Sequence, residues 1–398
     1  MRILTFLHSF EPGGVERVAL RLVRAWRAEG VDAPLFMGRA DGAMREEMAA
    51  DLAYDTPRQP FATGWIETAW MIVMLPRAII RLRPDALFCA GNSYTIVALA
   101  MKLLLGRRCP PILAKVSNDL ERRDMIAPVR WLYRRWLRLH GHFIDHFIGM
   151  EVPMADEIAA AIPAALRRLS IIADPALDEA QVMRLHYAVR SACETRNRGI
   201  SFVAIGRLAT QKNVALMLRA FALGAAALDR LTIYGDGPQR AMLTSLCRDL
   251  EIEDRVTWAG HVPDPASRLA DFDIFLLSSD YEGVPAVIVE ALAAGLPIIA
   301  TRCSVSMATL TGHGALAKLV DVGDLEGFSA AIRNAGAVRQ DRAVSLAQAR
   351  RFTVERASRA YLACFHSLQR HRTARRKNFA PLDCGGSPHA PSEHPKQQ

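Results

Sequence analysis

Short apolar runs alternate with amphipathic stretches along this chain. Near the start, "RILTFLH" (residues 2–8) is apolar enough for a strand covered on both faces. "GGVERVALRLVRAWRAEG" (13–30) then repeats its apolar residues at helical spacing until Gly30 closes it. The same alternation recurs with "ALFCAG", the helical "SYTIVALAMKLLLG", "PILAKVS" and "HFIGM". After "LSIIADPALD" a polar stretch, "RSACETRNRG" (190–199), reads as a connection. A second series restarts at "ISFVAIGRL" and runs through "LTIYGDG", "RVTWAG", "DIFLLSS" and "LPIIAT". Strands alternating with helices imply parallel sheets with right-handed crossovers, and the restart implies two of them. The predicted organisation is an N-terminal domain over 1–190, a C-terminal domain over 200–350, a helix over 351–370 crossing back to the first domain, and a disordered tail over 371–398.

Within the second series, "SDYEGVPAVIVEALAAGLPIIAT" (279–301) keeps two carboxylates among apolar residues. Gly283 and Pro285 punctuate a turn after the strand "DIFLLSS", and "AVIVEALAAG" reads as a short helix ended by Gly295. Glu282 thus falls in the loop and Glu290 in the second helical turn. Both lie near the carboxyl end of a parallel strand, where open α/β sheets bind ligands, and the helix start adds an anion site. The competing reading is a solvated loop residue and a wet helix face.

Composition narrows the class. The 398 residues are 51% hydrophobic and 23% charged, which suits a globular chain long enough for two domains. Seven scattered cysteines form no close pair, so neither a zinc cage nor a disulfide framework is implied and a reducing cytoplasm fits. No spanning helix and no signal peptide are expected. The net charge of +9 is concentrated: residues 101–140 hold ten Lys/Arg against three acids, and 365–398 hold six against two. Such clustering suggests an anionic partner surface, but no nucleic-acid motif accompanies it.

Four loops following successive strands of the second series should meet in one crevice. "GRLATQKN" brings Arg207 and Lys212 to a helix start, where two cations suit a diphosphate. "YGDGPQR" allows close approach at Gly235 and Gly237, and "AGHV" and the glutamate loop follow. A carboxylate on the next helix suits hydroxyls, as in ribose recognition. In that order the set resembles family 4 of the retaining glycosyltransferases, whose two Rossmann-like domains face a central cleft in the GT-B arrangement. The matching residues are Gly206-Arg207-Leu208, Lys212-Asn213, Gly235 to Pro238, Gly260 and the stretch from Glu282 to Thr301, with Gly13-Gly14 and Glu16-Arg17 in the first domain. The resemblance covers about residues 1–370.

What the resemblance implies is a UDP- or GDP-linked sugar donor held mainly by the second domain and passed, with retention of configuration, to a glycan or lipid-linked acceptor in bacterial surface polysaccharide or glycolipid synthesis. By it, Arg207 and Lys212 bind the diphosphate and stabilise its leaving charge. Glu282, with the backbone of Gly283, Val284, Pro285 and Ala286, holds the sugar. Glu290 takes the ribose, His261 and Val262 lie near the base, and Gly13 and Gly14 close over the phosphates. No cofactor or essential metal is expected, since Asp271 and Asp273 read as caps at element boundaries. A GT-B nucleotide-sugar epimerase and a catalytically weak membrane-associated binding protein are the alternatives.

The chain departs from the family pattern after "PILAKVS". Where many members carry a His, it has Ser117, Asn118 and Asp119, and Asp119 reads as a polar or basic substitute or as a helix N-cap. His8 reads equally as a site residue or a strand end. "APVRWLYRRWLRLHGHF" (127–143), read as a helix, puts Leu132, Trp136, Leu139 and Phe143 on one face and Arg130, Arg134 and Arg138 on another, with Trp131 and Arg135 at the margins. Arg and Trp together suit an anionic bilayer surface. The expected location is therefore cytoplasmic, peripheral on the inner face of the plasma membrane. An ordinary helix with solvated arginines is the plain alternative.

Overall fold

The computed structural model describes residues 1–11, 13–117, 120, 126–188, 199–338 and 340–378. Asn118, Asp119, the connection at 190–198 and the tail beyond 378 lie outside the described residues.

Six strands form the first sheet: β1 (Ile3–Leu7), β2 (Leu35–Met37), β3 (Ala86–Cys89), β4 (Ile112–Lys115), β5 (His146–Gly149) and β6 (Leu169–Ile171). Their order is β2-β1-β3-β4-β5-β6, all parallel. The second sheet has β7 (Ser201–Ile205), β8 (Arg230–Tyr234), β9 (Val256–Gly260), β10 (Ile274–Leu277), β11 (Ile298–Thr301) and β12 (Ala317–Val320). Its order, β12-β11-β10-β7-β8-β9, is again parallel throughout. The order reverses between β10 and β7, which is where a doubly wound sheet opens a crevice. Both sheets fit the expected two Rossmann-like domains.

The domain limits differ from the sequence expectation. Asp178 and Gln181 form a reciprocal capping box that starts a helix at Glu179–Tyr187. That helix buries Val182 and Leu185 and packs on the helix Ala286–Ala294 of the second domain, so the first body ends well before 190. At the other end, the last helix runs Val354–Asn378, eight residues past the expected limit at 370. "HRTARRKN" has neither Pro nor Gly to stop it, and Ala, Arg and Lys favour continuation.

This last helix lies on the first domain. Tyr361 and Phe365 are fully buried against Trp26 and Phe88, with ring centroids 5.4 to 6.4 Å apart. Burying each ring stabilises by roughly 1.5–3 kcal/mol. The chain therefore passes between the domains twice, and the two passages are bonded side by side: Ala176 N–H donates to Phe352 O at 3.0 Å and Val354 N–H to Leu177 O at 2.8 Å.

Helix Ala127–Phe143 forms. Leu137, His140 and Gly141 are buried, whereas Leu132 and Leu139 point outward with Trp131, Arg134, Arg135 and Arg138. An even apolar–cationic mixture leaves the helical phase ambiguous in sequence. The segment around Ile162 and Ala164, against which Gly141 packs, decides it.

Candidate functional site

The loops after β7 and β10 are tied together along their length. Asp280 N–H donates to Gln211 O at 2.8 Å, Gln211 Nε2 to Tyr281 O at 2.8 Å, and Ser278 Oγ to Lys212 O at 2.9 Å. Asn213 sits in the left-handed region, φ 41°, where it caps the next helix through Leu216 N–H and donates Nδ2 to Asp280 at 2.7 Å. These bonds carry Lys212 to Glu282, with Nζ 2.5 Å from Oε1. Ser279 Oγ donates to the same oxygen at 2.9 Å. Among the described residues the second oxygen of Glu282 accepts no hydrogen bond, and both side chains are mostly shielded, at 22% and 13% exposure. A carboxylate fixed this way can orient a sugar at little reorganisation cost.

Glycine is required where these loops meet. Gly235 has φ 129°, and a Cβ there would overlap the Gly206 carbonyl. Its N–H donates to Gly260 O at 2.7 Å, which joins the loops after β7, β8 and β9. At Gly283 a Cβ would run into the Ser117 carbonyl of the other domain. The glutamate loop therefore packs directly on the first domain.

Between the domains lies a cleft of about 990 Å³. Of the sequence-predicted residues, Arg207, Gly235, His261, Val262 and Glu290 line it. Lys212, Glu282, Gly13, Gly14, Gly237 and the stretch from Gly283 to Ala286 lie outside that lining. Pro285 is the N-cap of the helix Ala286–Ala294, and Glu290 projects from the second turn. Burial pushes the Glu290 carboxyl above its ordinary range, while Arg21 and Arg17 pull it down and Asp264 pushes it up. Arg21 is itself held below its usual value by burial, with Glu290 opposing, and its guanidinium donates to Pro175 O and Ala176 O of the inter-domain passage. His261 Nε2 lies 2.9 Å from Glu47 Oε1, a polar contact across the cleft mouth.

Sequence reasoning assigned no role to the first domain's share of this wall. Arg17, Arg21 and Arg24 project from helix Gly14–Ala28 into the cleft, at steps of four and three that put them on one helix face. That spacing, with no acid among them, was the available signal. His8 is buried at the end of β1, stacked on Tyr94 at 4.6 Å with Nδ1 3.8 Å from Glu67, and it does not line the cleft. Asp273 accepts from Ser201 N–H at 2.9 Å, bracing the start of β7. Among the described residues no group of three or more His, Cys, Asp or Glu gathers as a metal site.

Twin doubly wound domains closed on a cleft, with cations and carboxylates at the strand ends of the second, define the GT-B class. Comparison with known proteins agrees. Residues 199–336 match the family described as Glycosyl transferases group 1, and residues 12–173 match Glycosyltransferase Family 4. The chain belongs to this group 1, family 4 set of proteins. It is 39% identical over 102 residues to the lipopolysaccharide core biosynthesis glycosyltransferase LpsE of Rhizobium meliloti, covering 26% of this chain and 30% of the relative. It is 36% identical over 119 residues to the N-acetyl-alpha-D-glucosaminyl L-malate synthase of Bacillus anthracis, covering 30% and 31%. The matched stretches thus span about a third of these curated relatives. Two solved structures share the fold. The lipopolysaccharide outer core galactosyltransferase WaaB superposes with TM-score 0.70 at 18% identity, over 92% of this chain and 99% of that one. Anabaena HepE in complex with UDP-glucose gives 0.66 at 18%, over 94% and 100%.

Proposed function

We propose that this protein transfers a sugar from a UDP- or GDP-linked donor to a glycan or lipid-linked acceptor, with retention of configuration, in the synthesis of bacterial surface polysaccharide or glycolipid. The observation that carries the reading is the Lys212–Glu282 pair, fixed by the tied loops that follow β7 and β10. Arg207 and Lys212 receive the diphosphate, Glu282 and the backbone from Gly283 to Ala286 hold the sugar, and Glu290 accepts from the ribose hydroxyls. Gly235 and Gly237 let backbone approach the donor, His261 and Val262 flank the base, and Gly13 and Gly14 close over the phosphates. The bond from the anomeric carbon to phosphate breaks while the bond to the acceptor oxygen forms on the same face. The acceptor proton passes to the departing phosphate oxygen. Charge stabilisation and positioning supply the catalysis, without a metal or cofactor.

Thermal-shift screening against UDP, GDP and their sugars tests this reading. A ligand at 100 times its dissociation constant adds about 2.7 kcal/mol of stability. The product's anomeric configuration, read by NMR, tests retention, and an unchanged rate in EDTA tests the metal-free expectation. No stabilisation by any nucleotide removes the proposal.

The acceptor side rests on helix Ala127–Phe143, which exposes Trp131 and Leu132 beside Arg134, Arg135 and Arg138. Apolar anchors among cations suit an anionic membrane face, which would place a lipid-linked acceptor near the cleft. Among the described residues no helix is long and apolar enough to cross a membrane. Sedimentation with anionic vesicles in low salt, lost in high salt and reduced by replacing Arg130, Arg134 and Arg138 with Gln, is the expected result. A wild type that ignores such vesicles turns the assignment to a soluble acceptor.

A further inference from the structure

Five arginines line the inter-domain cleft, and three of them are already engaged. Arg21 donates to the Pro175 and Ala176 carbonyls, Arg24 to Asp51 and the Met48 carbonyl, and Arg184 to Asp264 at 2.8 Å. Arg207, from the second domain, and Arg17, from the first, have no side-chain hydrogen bond or ion pair among the described residues. Arg17 stands in the first turn of helix Gly14–Ala28, directly after Gly13 and Gly14. Its neighbour Glu16 does not neutralise it, because Tyr94 Oη donates to Glu16 Oε1 at 2.5 Å and holds that carboxylate on the first domain. Arg17 also acts on Glu290 electrostatically without forming an ion pair with it.

We propose that Arg17 completes a two-sided cation clamp, gripping the donor's diphosphate from the first domain while Arg207 grips it from the second. This deepens the proposed function and rests on it. An unpaired guanidinium offers several charge-assisted bonds to phosphate oxygens, and the helix N-terminus beside Arg17 adds N–H groups of the same sign. The paired arginines would first have to give up their partners. Because the clamp spans the cleft, it forms only when the domains are closed on a ligand carrying a diphosphate. A nucleoside satisfies Glu290 but leaves Arg17 idle. Arg17 therefore discriminates diphosphate-bearing ligands from nucleosides and couples donor binding to closure.

Calorimetry with uridine and UDP, or guanosine and GDP, on the wild type, Arg17→Gln and Arg17→Lys separates the roles. The expected result is an approximately tenfold loss of diphosphate affinity in Arg17→Gln, about 1.4 kcal/mol, with nucleoside affinity unchanged. Arg17→Lys should recover part of the loss by keeping the charge, and it serves as the test should Arg17→Gln fold poorly. Unchanged diphosphate affinity in both variants overturns the proposal. An equal loss for nucleoside and diphosphate also overturns it, since Arg17 would then act only through Glu290. A wild type that binds neither diphosphate rejects the donor reading itself, an outcome distinct from a wild type that binds and a variant that binds as well.

Discussion

The two domains share a fold but build their cleft walls differently. In the second, catalytic candidates stand on loops bonded to each other at nearly every residue, from Gln211 with Tyr281 to Asn213 with Asp280. In the first, the wall is a helix face on which Arg21 and Arg24 are bonded to neighbouring backbone and Asp51 while Arg17 makes no ion pair among the described residues. The second domain is a rigid template. The first presents charge to whatever is bound and exposes Trp65, Leu103, Trp131 and Leu132 to its surroundings. Preorganisation on one side and adaptable contact on the other suit a fixed donor and a variable acceptor.

The sharpest break in that comparison is expected at Lys212. Removing one preorganised donor typically costs about 100-fold or more in turnover, so Lys212→Ala should lose at least that while folding normally. Full turnover in the purified variant would deny the template its role.

Next in size is an acid sensitivity centred on the first domain. Burial pulls the His140 imidazole down to about 4 and also lowers His8 and His146. A histidine depressed in the folded state stays neutral there while the unfolded chain takes the proton. Its contribution is complete above pH ~6.5 and is lost as pH falls from there towards 4. At pH 5 the loss from His140 alone is roughly 2 kcal/mol. Urea titrations at pH 7.5 and 5 should show this gap, and His140→Leu should narrow it; an equal gap in the variant points elsewhere.

A smaller effect separates the two glutamates. Glu290→Ala should weaken the bare nucleoside diphosphate about tenfold, roughly 1.4 kcal/mol, because ribose is present in it. Glu282→Ala should spare that ligand and weaken the nucleotide sugar instead. Equal losses of diphosphate affinity would merge roles that the tied loops keep apart.

The smallest effect belongs to the exposed helix. Arg134→Gln alone should cost about 1 kcal/mol of binding to anionic vesicles, about a fivefold change in partition. Binding untouched by this change, in low salt, would move the contact to another face.

Much of the second domain was legible in the sequence because its parts announce themselves locally. Short apolar runs such as "IFLL", bounded by turn residues, suit buried strands, and Gly235 and Gly295 stand where positive φ is needed. The first domain was less readable. β2 is only three residues, "LFM", enclosed by Pro34 and Gly38, and no periodicity survives at that length. Arg17, Arg21 and Arg24 look like a solvated helix face until a second domain docks on it, which is information no local window holds. Spacing marked Leu132 and Leu139 as one stripe, but it gave no sign that Leu137 and His140 would be the residues buried. Both leucines are left exposed beside Trp131.

The paired passage between domains, with Leu177 bonded to the chain around Thr353, bears on how this protein can be recombined. A cut at any single peptide bond between the two sheets leaves the first half without Tyr361 and Phe365, so Trp26 and Phe88 face water. A chimera that exchanges second domains must take its insert from within residues 178–352 and inherit both flanks from one parent. The second domain is, in that sense, an insertion: a module spliced into its host, replaceable only between two adjacent seams.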